Sequence, residues 1–161
     1  MSDAANQPAM DHEAVVRQSI TVPLAPAAAF TLWTDQIHTW WPTAHSRSGN
    51  PATHVIFERG VGGRFLERTP DGAEYVWGTV ITWQPPDHLA YQWYLGSGPT
   101  QPTRVDVHFV AVGEGQTRVE VEHRGPELIG DIWWLNNARY RAAWAVVLPA
   151  YTAAAAALFA A

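Results

Sequence analysis

The chain has 161 residues, a formal net charge of −5 and no cysteine. That length suits one domain with a single substantial core. The acidic balance excludes the basic face a nucleic-acid binder needs, and the missing cysteine excludes disulfides, a thiolate nucleophile and a cysteine zinc site. All ten basic positions are arginine and lie scattered, so no basic amphipathic helix supports a membrane-surface role. Neither nucleic acid nor membrane is an expected partner. The opening "MSDAANQPAMDHEA" lacks the charged and apolar regions of a secretory signal, and the expected location is the cytoplasm.

Residues 1–13 read as a disordered, polar leader and 14–161 as one domain. "VVRQSITVP" (15–23) is rich in β-branched residues and predicts a first strand. From Pro26, "PAAAFTLWT" predicts a helix, with proline at a first-turn position that needs no N–H. Phe30, Trp33, Ile37 and Trp40 follow at spacings of 3, 4 and 3, one face of a helix. Asp35 is expected to cap a second short helix that Pro42 ends.

Strand-like runs follow at 53–59, 63–69, 74–83, 88–95, 103–112 and 117–124. They are joined by "GVGG", "PDG", "QPPD", "GSGPTQP" and "GEG", connections short enough to force antiparallel neighbours. Val105, Val107 and Phe109 oppose Arg104, Asp106 and His108, so one sheet face is buried and the other wet. The segment 129–159 predicts a long helix, interrupted at Pro149, with Trp133, Asn137, Tyr140, Trp144, Val147 and Tyr151 on one stripe. The expected class is α+β: a curved antiparallel sheet wrapped around a long C-terminal helix, with a short helical pair after the first strand. Such a wrap tends to leave a cavity between helix and sheet.

Four blocks carry a family resemblance: "FTLWTDQIHTWWP", "GVGGRFLERTPDGAEYVWGTVITWQPPDHLAYQW", "TRVDVHFVAVGEGQTRVEVEHRG" and "RAAWAVVL". In this order, over roughly residues 15–152, the chain resembles the heat-shock-protein-90 ATPase activator-like family. The resemblance implies the helix-grip fold of the START-like (SRPBCC) superfamily. Its members mostly enclose a hydrophobic cavity; they bind lipids, hormones or polyketides, or act as cyclases and hydrolases. The eponymous co-chaperones carry a further N-terminal domain, and none is expected ahead of the strand near residue 15.

Several residues could carry chemistry. His123 shares a face with Val119 and Val121, which points it inward as a general base or ligand-binding group. The alternative is a core-edge histidine bonded to a backbone carbonyl. Glu67 shares a face with Phe65 and would form an acid–base pair with His123, unless the strand twists it toward solvent or an arginine. Asn137, Tyr140 and Trp144 are expected to roof the cavity, with plain core as the alternative for Trp144. Tyr91 and Trp93 share the phase of Leu89, the better candidate for inward. Trp40 continues the helical stripe into the core, whereas Trp41 with His38 is expected at the cavity rim or an interface.

In 74–83 both phases stay open: Tyr75, Trp77, Ile81 and Trp83, or Val76, Gly78 and Val80. Rings on both faces would leave an exposed aromatic patch, the ground for expecting a homodimer. The remaining histidines show no ligand spacing, so no metal and no cofactor is expected. The readings in order are a protein binding a small apolar or aromatic molecule, a cyclase- or hydrolase-type enzyme, and a protein-binding module with a chaperone partner.

Overall fold

Runs of β-branched and aromatic residues, cut by Gly, Pro and Asp, become seven strands that all pair antiparallel. The computed structural model describes residues 14–95, 98 and 100–161; the leader expected over 1–13 and part of the loop expected at 96–102 lie outside the described residues. The strands are β1 Val15–Val22, β2 His54–Phe57, β3 Arg64–Arg68, β4 Glu74–Gln84, β5 His88–Trp93, β6 Thr103–Gly113 and β7 Gln116–Arg124. The helices are α1 Pro26–Trp33, α2 Pro126–Ile129 and α3 Asp131–Ala160, with single 3-10 turns at Ile37–Thr39 and Thr43–His45.

The sheet order is β1-β7-β6-β5-β4-β3-β2, curled into a half-barrel. From β2 onward each strand lies beside the next, as the short links require. Only the segment between β1 and β2 must travel from one edge to the other. It crosses the concave face, where Phe30 of α1 packs on Phe109 of β6 and Trp83 of β4. Further along, Trp41 packs on Phe65, Trp77 and Trp93. Asp35 does not cap the following turn; it pairs instead with the Arg59 guanidinium.

Helix α3 then closes over this layer. Trp133, Asn137, Tyr140, Trp144, Val147 and Tyr151 are all buried, as the stripe predicts. Tyr151 meets Trp33 and Trp40, and its hydroxyl donates to the Ala29 carbonyl at 2.7 Å, so α3 is tied to α1. Pro149 does not interrupt the helix. Both Pro149 and Ala145 are exposed, so the Ala145 carbonyl that loses an N–H partner lies on the solvent side. By length and composition α3 is also long and apolar enough to cross a membrane. Its buried stripe belongs to the domain core.

Strand β4 explains why its inward face is illegible. The pairing register shifts between Phe65 and Leu66 against β3, and between Val80 and Thr82 against β5. Each bulge adds a residue and flips the alternation, so the inward residues are Trp77, Val80 and Trp83. Neither expected phase holds along the whole strand. Eight of the nine tryptophans consequently lie in or against the core, leaving Trp134 exposed. The ring surplus that suggested a homodimer is inside.

Gly78 sits at the first bulge, opposite Trp93, where a Cβ would collide with the Gln92 carbonyl oxygen. Because the obstacle is backbone, no rotamer relieves it. Gly78→Ala is expected to cost about 1–3 kcal/mol in urea unfolding; an unchanged midpoint would mean that β4 and β5 do not approach this closely.

Candidate ligand-binding cavity

Alternation along β7 sends His123 inward between Val105 of β6 and Val16 of β1. The stripe of α3 sends Trp144 down to meet it. Trp144 Nε1 donates to His123 Nδ1 at 3.0 Å, and His123 Nε2 lies 2.7 Å from Thr103 Oγ1. Indole N–H is only a donor, so Nδ1 must be the bare acceptor nitrogen and Nε2 carries the proton. Thr103 Oγ1 then accepts from Nε2–H and donates its own O–H to the Trp93 carbonyl at 3.3 Å. The rings of Tyr140 and Trp133 enclose the imidazole at 4.4 and 5.6 Å. Burial pushes the His123 pKa down to about 3. His123 is therefore a neutral strut between α3 and the sheet, with both nitrogens engaged.

Glu67 also points inward, and its residue is fully buried. Burial acts to raise its pKa, yet hydrogen bonds outweigh that and hold it below the ordinary carboxylate value. Its oxygens accept from the Arg47 N–H at 2.6 Å, Ser48 Oγ at 2.6 Å, Thr53 Oγ1 at 3.0 Å and Trp77 Nε1 at 3.0 Å, with a longer contact from the Ser48 N–H. Arg47 also lays its guanidinium over the Tyr75 ring at 4.6 Å. A buried anion is thus satisfied by donors from the loop between the second 3-10 turn and β2 and by the Trp77 indole of β4. Glu67 and His123 share no partner, so the expected acid–base pair is not formed.

Between the middle of α3, the end of β5 and the turn at Thr43–His45 lies a cavity of about 550 Å³. Trp41, Trp93, Tyr140 and Trp144 supply aromatic wall, and His123 lies among the lining residues. Trp41 is buried, and its Nε1 donates to the His45 carbonyl at 2.9 Å, which fixes the turn that forms one rim. Polar character comes from His45, Ser46 and Arg139. No acidic side chain among the described residues pairs with Arg139.

Of the residues expected at a ligand site, Trp41, Trp93, His123, Tyr140 and Trp144 line this cavity. Tyr91 does not: it is wholly buried against Phe57, Phe65 and Trp93. Asn137 is buried one turn before Tyr140 and lies outside the lining. His38 is exposed, stacks on His54 at 4.6 Å and lies outside the lining. Arg139, Ala142, Ala143 and Val146 were not foreseen, because the cavity opens along the flank of α3 beside the buried stripe. The pair Ala142-Ala143, small residues just before Trp144, was the available signal.

The His123 strut has a pH signature. Its folded pKa of about 3 lies below the unfolded value of 6.5, so only the unfolded chain takes up this proton in between. Stability is complete above pH 6.5 and falls as pH drops, by about 1.4 kcal/mol per unit at most. Between pH 6.5 and 5, urea unfolding of the wild type is expected to lose roughly 2 kcal/mol that His123→Phe does not lose. Parallel pH profiles would contradict a neutral buried imidazole.

The curled sheet gripping one long helix over a cavity defines a START-like (SRPBCC) helix-grip domain. A family model described as Activator of Hsp90 ATPase homolog 1-like protein matches residues 23–131, and the chain belongs to that family. Among solved structures, an anthrahydroquino-gamma-pyrone synthase, Txn09, is 32% identical, with TM-score 0.54 over 82% of this chain and 88% of its own. The self-sacrificing resistance protein CalC from Micromonospora echinospora is 27% identical, with TM-score 0.67 over 88% and 93%. An HSP90 activator from Plasmodium falciparum is 19% identical, with TM-score 0.51 over 70% and 74%, a likeness of fold. No curated protein matches the sequence.

Proposed function

We propose that this protein binds a small, largely aromatic molecule in the cavity beneath α3. The cavity itself carries the reading: about 550 Å³, walled by four aromatic rings, and within the size range of small-molecule sites. Arg139 and His45 at its edge favour a ligand with an acidic group on an apolar body. Similarity to a synthase of a fused aromatic product points the same way.

A second reading, an enzyme acting on an aromatic substrate in the same cavity, is favoured by the 32% identity to that synthase. His123 cannot be its base while both ring nitrogens are engaged; His45 and Tyr140 are the remaining titratable groups on the wall besides Arg139. Product formation from polyketide-like substrates, followed by mass spectrometry, separates turnover from binding. A chaperone partner, supported by family membership, is the third reading. An unchanged chaperone ATPase rate would count against it.

Anthraquinone and anthraquinone-2-carboxylate are suitable probes, with tryptophan fluorescence and thermal shift as readouts. Saturable binding is expected, and Ala143→Leu should abolish it without unfolding the protein, since it fills the cavity from α3. Arg139→Ala should weaken the carboxylate about fivefold, a charged contact of about 1 kcal/mol, while sparing the neutral probe. Equal binding by Ala143→Leu would place the ligand elsewhere and contradict the reading.

A further inference from the structure

The outer face of the sheet carries a cluster that the cavity does not use. Register sets His88 of β5 directly opposite His108 of β6. Their rings lie parallel, 4.2 Å apart at an interplanar angle of 12°. Asp106, two residues before His108, is on the same face, opposite Ala90. The small Ala90 side chain leaves room above it, and His88 Nε2 reaches Asp106 Oδ1 at 2.8 Å. One ligand atom each from His88, Asp106 and His108 lies within 4.8 Å of the other two.

We propose that His88, His108 and Asp106 form a divalent transition-metal site on the convex face, clipping β5 to β6. Two imidazoles and one carboxylate are the donor set of borderline cations such as Zn²⁺, Ni²⁺ and Cu²⁺, and leave a coordination position open. The donor atoms, now within 4.8 Å of one another, close onto one ion at about 2.0–2.2 Å by rotation of the three side chains, the two stacked imidazoles turning toward each other. Arg104 is bidentate on Asp106, with Nε to Oδ2 at 2.8 Å and Nη2 to Oδ1 at 3.1 Å. Its Nε bond to Oδ2 can stay and orient the carboxylate as an outer-shell partner, while the Nη2 and His88 bonds to Oδ1 give way to the metal. Its positive charge has a counterweight. Glu122 gives Oε2 to Arg17 and Arg124, and turns Oε1 toward His108 Nε2 at 3.5 Å, a second carboxylate next to the cluster.

Burial adds to the case. Asp106 is 5% exposed although it stands on the wet face, so its carboxylate is held in place by its neighbours. Ordered donors lose little conformational freedom on taking up an ion. The site was not legible in the sequence because His88 and His108 lie twenty positions apart and meet only through strand register.

Titration calorimetry of the full chain with ZnCl2, NiCl2 and MgCl2 tests this. One Zn²⁺ and one Ni²⁺ are expected to bind per chain, and Mg²⁺ not at all. His88→Gln and His108→Gln should each weaken Zn²⁺ by at least about tenfold. His38→Gln/His54→Gln, which removes the other stacked histidine pair, should leave it unchanged. Zn²⁺ should also raise the melting temperature of the wild type and not of His88→Gln/His108→Gln, because an ion bound only by the folded state stabilises it. Absence of saturable Zn²⁺ heat, or equal binding by the double variant His88→Gln/His108→Gln, would overturn the proposal and leave the cluster as packing between strands.

Discussion

One chain of hydrogen bonds holds the architecture open: Trp144 Nε1 to His123, His123 to Thr103, Thr103 to the Trp93 carbonyl. It links α3 to β7, β6 and β5 in a single line. Apolar walls alone would draw together toward close packing, because dispersion and the hydrophobic effect both reward the loss of empty space. Directional bonds between buried polar groups instead set the height of α3 above the sheet. A helix that settled lower would leave an indole N–H, an imidazole and a hydroxyl without partners, each costing about 1–3 kcal/mol. The cavity persists beside this strut.

The other walls are tied by the same principle. Tyr151 bonds the Ala29 carbonyl and fixes the far half of α3 to α1. Glu67 gathers donors from Arg47, Ser48, Thr53 and Trp77, and so pins the loop that follows the cavity rim. His123 and Glu67 meet the cost of burying a titratable group in opposite ways. The imidazole stays neutral, because its neighbours offer one donor and one hydroxyl and no charge. The carboxylate stays ionised, because enough donors converge to offset its desolvation. Neither group is left available as an acid or base.

Much of the fold was legible because periodicity reports burial. Each strand lies within two residues of the run expected for it, and the α3 stripe is buried throughout. Bulged β4 was not legible, since an inserted residue leaves no compositional mark yet inverts every later side chain. At the site, alternation told which way His123 and Glu67 point. It could not tell what meets them. Their partners come from α3 and from a loop, and depend on the height and path of those segments. His38 and Trp41 illustrate the same limit at short range: three residues apart, one stacks on His54 at the surface and the other lines the cavity, because a single 3-10 turn stands where the sequence presents a regular helix.

The central claim is that His123 is a neutral Nε2–H imidazole bridging helix and sheet. Nitrogen-15 NMR of the His123 ring tests it most directly. The account predicts a bare Nδ1 and a protonated Nε2 at neutral pH, with ring shifts constant as pH falls to about 5. An Nδ1–H tautomer, or a ring that titrates near the ordinary value of 6.5, would contradict it.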